Sequence, residues 1–181
     1  MSLTPNGLAN EIVNSVRRKI TDKNYSLKTM PEIGHAIASY LTKNTSVRYV
    51  WSGILPGTPQ IFDPITSYVT TSIVGDFACS PTNVSDPVLN GIFLGKQITD
   101  GIRKFKIMPA SGWLVSPGGF LCAPNIVLPP IPIKDTYRYW LFQSNIILTF
   151  YKTWITPTPL MGSHGSYLAP PGAGAVMSQI F

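Results

Sequence analysis

Between Thr29 and Gly53 the hydrophobic positions change from a spacing of about 3.6 residues to a spacing of two, and the chain reads there as a helix feeding a sheet. Thr29 with Glu32 three residues on makes a capping-box pattern, and Pro31 falls in the first turn, so the helix is predicted to start at that point. Ile33, Ala36, Ile37, Tyr40 and Leu41 share one face of it. After Asn44, Val47, Tyr49 and Trp51 alternate with Arg48, Val50 and Ser52, which predicts a strand closed by Gly53. Upstream, Thr4 before Pro5 repeats the cap-then-proline signal, and Leu8, Ile12, Val13, Val16 and Ile20 form a second helical stripe. The polar segment from Asp22 to Lys28 is short, so the two helices are predicted to form a hairpin over residues 1–45, closed by Ile12, Val16, Ile33 and Ile37.

Further along, period-two alternation predicts a strand from Tyr68 to Phe77 with a bulge at Gly75, and Gly53 to Asp63 reads as an ordered loop. Asn90 to Lys96 and Ile102 to Met108 read as short strands linked through Asp100-Gly101. Tyr137 to Trp154 reads as the longest strand, with Trp140, Phe142, Ile146, Leu148, Phe150 and Trp154 on one face. Five prolines and three glycines between Ser111 and Pro132 predict an irregular extended arm, placed at 109–133. From Thr153 onward no residue is charged, and a Pro/Gly spacer leads to Val176, Met177, Ile180 and Phe181. The expected fold class is therefore α+β: a helical hairpin, a mainly antiparallel β body over 46–154 with its arm, and a docking tail over 155–181.

Composition sharpens this picture. Charged residues make up 12% of the 181 positions, about half of ordinary usage, while 44% are hydrophobic and 17 are proline. Such a chain has little charge with which to cover a free surface, so neighbouring protein is the expected cover for its apolar segments. The residues expected to dock on other subunits are Trp113, Phe120, Ile126 and Leu128 in the arm and Val176, Met177, Ile180 and Phe181 in the tail.

The net charge of +6 is concentrated in two places, Arg17, Arg18 and Lys19 with Lys23 and Lys28, and Arg103, Lys104 and Lys106 around Phe105. These are the candidates for nucleic-acid contact. The competing readings are a solvated helix end for the first cluster and edge-strand protection for the second.

Catalytic patterns are missing from the sequence. Gly162-Ser163-His164-Gly165-Ser166 puts a hydroxyl beside an imidazole without the strand-to-helix elbow or separate acid that a serine nucleophile needs. Gly118-Gly119 lacks a following Lys-Ser/Thr pair. His35, Cys79, Cys122 and His164 are too scattered for a zinc set, and the eight acidic residues form no close pair. A non-enzyme without cofactor or metal is expected. One pair of cysteines makes no disulfide framework, so two free thiols are expected. The first ten residues lack a signal-peptide pattern and the apolar run from Tyr139 to Tyr151 is too short to span a bilayer, so synthesis in a cytoplasm and no membrane association are expected.

The series Ser2-Leu3-Thr4-Pro5-Asn6-Gly7-Leu8-Ala9-Asn10, then His35-Ala36-Ile37-Ala38-Ser39-Tyr40-Leu41 ending at Asn44-Thr45, then Gly53-Ile54-Leu55-Pro56-Gly57-Thr58-Pro59, resembles small virion-associated proteins of tailed bacteriophages. The resemblance covers about the first 60 residues and, loosely, the tail. It implies a structural role in a virion, in tail or baseplate, with other virion proteins and copies of the same chain as partners. It supplies no functional residues.

Overall fold

The computed structural model describes residues 3–17, 25–54, 62–81, 86–108, 113–115, 119–122, 124–130, 137–157, 162–164, 167–168 and 179–180. Helix α1 (Pro5–Arg17) starts at the predicted cap: the Thr4 hydroxyl accepts the Gly7 N–H at 3.2 Å. Its stripe of Leu8, Ala9, Ile12, Val13 and Val16 is buried. Helix α2 (Tyr25–Asn44) begins a turn before the capping-box pattern, so Pro31 lies inside it and Thr29 is no cap. Met30 packs against the core, and Pro31 costs the bond its missing N–H would have made. Ile33, Ile37 and Leu41 are buried as predicted, and the Ser15 hydroxyl reaches both Ile12 O at 3.1 Å and Glu32 O at 3.4 Å. Tyr40 ties the pair off: its hydroxyl accepts the Thr4 N–H at 2.9 Å and donates to Thr4 O at 3.0 Å, over Gly7, where a methyl group would meet that hydroxyl.

Strand β1 (Ser46–Ile54) pairs antiparallel with β2 (Phe62–Val74) along its whole length, from Ser46↔Ser72 to Ile54↔Phe62, with an irregularity between Trp51 and Gly53. Part of the predicted loop thus belongs to a hairpin, and β2 ends before Gly75. Helix α3 (Pro87–Arg103) replaces the predicted strand at Asn90–Lys96, and of Ile102–Met108 only Lys106–Ile107 (β3) is strand, paired with Ile73 and Val74. Two strands cut into the predicted arm, β4 (Trp113–Val115) and β5 (Phe120–Cys122).

Helix α4 (Tyr137–Trp154) replaces the long strand. Trp140, Gln143, Ser144, Ile147, Leu148 and Tyr151 are buried at helical spacing, on the stripe a helix of 18 residues presents to a core. It packs against α1, and the Lys152 ammonium donates to Leu3 O at 3.2 Å. The described residues after α1 and α2 therefore hold two more helices, and the fold is α+β, with four helices and small antiparallel sheets among the described residues.

The tail adds strands β6 (Ile155–Pro157), β7 (Gly162–His164), β8 (Tyr167–Leu168) and β9 (Gln179–Ile180). β6 pairs with β5, while β4, β7 and β8 run in series to β1 at Ile54↔Leu168. β9 returns to β1 at Val47↔Ile180 and Arg48↔Gln179.

Candidate assembly surface

Helix α3 has two unlike faces. Asp86 caps it, its carboxylate accepting the Val88 N–H at 2.8 Å, and Pro87 opens the first turn. Gly91, Leu94, Gly95, Ile98, Thr99 and Ile102 form the buried stripe. A β-carbon at Gly91 would fall on the carbonyl oxygen of Leu128, and one at Gly95 on that of Ile126. These two glycines let the extended segment 124–130 lie directly on the helix backbone. Thr99, fully buried, fixes the register: its hydroxyl donates to Gly95 O at 2.8 Å and accepts the Ile126 N–H at 2.9 Å. Ile126 and Leu128 point inward and are 1% and 2% exposed, while Val127 between them is 66% exposed.

A second extended segment, 75–81, crosses the helices in the same manner. It passes over α2 at Gly34, where a β-carbon would meet Cys79 N at 2.6 Å and Phe77 O at 2.8 Å, and the Phe77 ring covers Gly101 of α3. Gln97 grips it with both ends of its amide: Oε1 accepts the Ser80 N–H at 2.5 Å and Nε2 donates to Ser80 O at 3.2 Å. His35 is exposed on α2, and its Nδ1 meets both carboxylate oxygens of Asp76 at 2.8 Å.

The outer face of α3 is apolar and open in its first turns, before exposed Lys96. Val88 is 52% exposed, Leu89 and Ile92 42% each, and Phe93 43%. At i, i+1, i+4 and i+5 they form one patch over two turns. Leu121, Phe142 and Trp154 are further large apolar side chains more than half exposed. Such exposed patches are where protein–protein contact is expected.

The residues predicted to dock on neighbours divide. Phe120, Ile126 and Leu128 are buried by this chain itself: the α3 glycines seat the strap, segment 124–130, so that Ile126 and Leu128 fill the core beneath, and the Phe120 ring lies against Tyr151 of α4. They are core residues, not a free surface. Trp113 belongs to β4, which pairs with β7, and Ile180 to β9, which pairs with β1. Val176, Met177 and Phe181 lie outside the described residues. The outer face of α3 was missed, although the Asp86-Pro87 cap signal precedes it in the sequence.

The basic candidates divide as well. Arg17 ends α1, and Arg18 and Lys19 lie outside the described residues. Arg103 is a structural clamp: its guanidinium reaches Cys122 O at 2.8 and 3.2 Å and the Asp100 carboxylate at 2.7 Å. Lys104 and Lys106 are exposed on either side of buried Phe105.

Both cysteines are free thiols. The half-buried Cys122 thiol donates to Pro124 O at 3.3 Å, and burial raises its pKa, with the Arg103 charge opposing and the Asp100 charge adding. Burial pushes the Cys79 thiol from the usual 9.0 up to about 12. The unfolded thiol loses its proton near pH 9 while the folded one keeps it, so this contribution to stability is fully present below that pH and is lost as pH rises toward 12. The slope is about 1.4 kcal/mol per pH unit. Urea unfolding of wild type and Cys79→Ala at about pH 8 and pH 10 checks it: the stability difference should shrink by about 1.4 kcal/mol per unit above the thiol's ordinary pKa, and a constant difference would refute it.

Among the described residues, no group of three His, Cys, Asp or Glu side chains could hold a metal ion, and no helix is long and apolar enough to cross a membrane. Ser163 and His164 sit in β7, paired with Leu114 and Trp113. Comparison with protein-family models, curated proteins and solved structures gives no match, and the functional reading accordingly rests on the residues themselves.

Proposed function

We propose that this chain is a structural subunit of a multi-subunit assembly, without catalytic activity, binding copies of itself and neighbouring proteins through apolar surface. The resemblance of its first 60 residues makes the virion of a tailed bacteriophage, in tail or baseplate, the proposed assembly. The observation that carries the reading is the exposed patch of Val88, Leu89, Ile92 and Phe93 on α3. Full burial of one such side chain is worth about 1.5 to 3 kcal/mol, and these four are roughly half-buried already, so covering the patch adds about 3 to 6 kcal/mol. A chain that is 12% charged has few groups to keep that patch hydrated.

The expected result is that Ile92→Lys with Phe93→Lys leaves the helical circular dichroism unchanged and shifts the protein toward monomer in sedimentation. Equal self-association of variant and wild type would remove α3 from the interface.

Nucleic-acid contact is the alternative, favoured by exposed Lys104 and Lys106. It requires binding that falls steeply with salt, whereas apolar association strengthens or holds.

A further inference from the structure

The apolar patch on the outer face of α3 is bounded by opposite charges. Val88, Leu89, Ile92 and Phe93 occupy its first turns, exposed Asp86 caps the helix ahead of them, and exposed Lys96 stands one turn beyond Ile92. Asp86 and Lys96 each lie five positions from Gly91, with the four apolar residues between them. A helix face of this kind is complementary to itself when turned end for end. Laid antiparallel about a two-fold axis at the level of Gly91, two copies set Leu89 of one against Phe93 of the other, and Asp86 of one against Lys96 of the other, each contact being made twice. A parallel pairing would oppose Lys96 to Lys96 and Asp86 to Asp86. Like charges brought together select against it.

We infer that the α3 face binds the same face of a second copy of this chain, the two helices running antiparallel about a two-fold axis near Gly91. This rests on the reading of the chain as an assembly subunit whose α3 patch is covered by protein. Burial of the four apolar side chains supplies the attraction, while the two ion pairs fix direction and register more than they add affinity. Both charges sit at the ends of the patch, so they fall on the rim of the contact and keep their water. A pair closed by a two-fold axis uses up this face. Leu121 on β5 and Phe142 and Trp154 on α4, each more than half exposed, belong to other elements and are left for contacts that join one pair to the next.

The test uses single cysteines at exposed positions of the full chain, with Cys122→Ser to remove the half-buried thiol. At a rise of about 1.5 Å per residue, the two copies of position 92 differ by about 3 Å along the antiparallel axes, and the two copies of position 96 by about 15 Å. A disulfide needs Cα atoms within about 7 Å. Oxidation at a concentration where wild type self-associates should therefore convert Ile92→Cys to a covalent dimer at several times the yield of Lys96→Cys, with the helical circular dichroism of wild type kept in both. Leu89→Cys mixed with Phe93→Cys, which the same axis brings to one level, should give a heterodimer as readily. An equal or greater yield from Lys96→Cys would overturn the antiparallel pairing. If neither the Ile92→Cys chain nor the Leu89→Cys and Phe93→Cys mixture cross-links while wild type self-associates, the α3 faces do not meet, and the inference fails with the assembly reading intact. A wild-type chain that stays monomeric by sedimentation would overturn the assembly reading itself.

Discussion

Gly95→Ala is expected to lower the thermal midpoint of this protein by about 10 °C, the opposite of what glycine-to-alanine does in an ordinary helix. In an exposed helix interior the change gains about 1 kcal/mol. Here the new methyl group falls on the carbonyl oxygen of Ile126, a backbone atom that moves only if the whole strap moves. Lifting the strap breaks the bond from Ile126 N–H to Thr99 Oγ1, at about 1 to 3 kcal/mol for an orphaned buried amide. It also draws Ile126 and Leu128 partly out of the core, at up to 1.5 to 3 kcal/mol each by the usual order of magnitude. After the gain in helix propensity the net loss is about 3 to 5 kcal/mol, and for a chain of this size each kcal/mol moves the midpoint by about 2 to 4 °C. Thr99→Val should cost about 1 to 3 kcal/mol by the amide term alone, and Thr99→Ser, which keeps the hydroxyl, less. A midpoint for Gly95→Ala equal to or above that of wild type would show that the strap does not lie on this face.

Ile37→Asp is expected to abolish the folded state. Ile37 is fully buried in the core where α2 packs on α1, and among the described residues no basic side chain is buried. An unpaired carboxylate there costs several kcal/mol on top of the lost apolar burial, against a total stability of about 5 to 15 kcal/mol for a domain. Lys43→Ala on the same helix removes only an exposed contact to Glu11 at 3.9 Å, worth at most about 1 kcal/mol. Circular dichroism separates the two: loss of helix in Ile37→Asp alone is expected, and similar spectra from both variants would contradict the packing of α1 on α2.

The N-terminal elements were legible because their information is local. The cap at Thr4-Pro5, the stripes of Leu8, Ile12 and Val16 and of Ile33, Ile37 and Leu41, and the alternation through Val47 lie within a few residues of one another. α3 was not legible for a physical reason. Gly91, Gly95 and Gly101 each lower helix propensity, and Ile92-Phe93 favours a strand, so local preference points away from the observed helix. What reverses it is a contact 27 residues along the chain, from Thr99 to Ile126, where glycine is needed for backbone to meet backbone. For α4, aromatic and β-branched residues fit alternation and helical spacing alike; its length of 18 residues was the available evidence, since strands that long are rare. Gln143 and Ser144, polar residues inside the apolar run from Tyr139 to Tyr151, are both fully buried on the helix's inner stripe.

The arm illustrates the same limit. The proline and glycine content of the arm was readable, and so was the need of Ile126 and Leu128 for cover. Whether the cover is this chain or another depends on where α3 lies, which no local pattern states. The apolar surface that remains open once the strap is seated was therefore sought in the arm and is found on the helix below it.

Sedimentation velocity of the wild-type chain, over a concentration series from about 1 to 50 μM at low and high salt, tests the central claim most directly. That range is where weak association through an exposed apolar patch becomes visible. An assembly subunit should sediment as multimers whose size grows with concentration and does not fall as salt is raised. A single species at the monomer mass of 19.8 kDa across the whole series would contradict it.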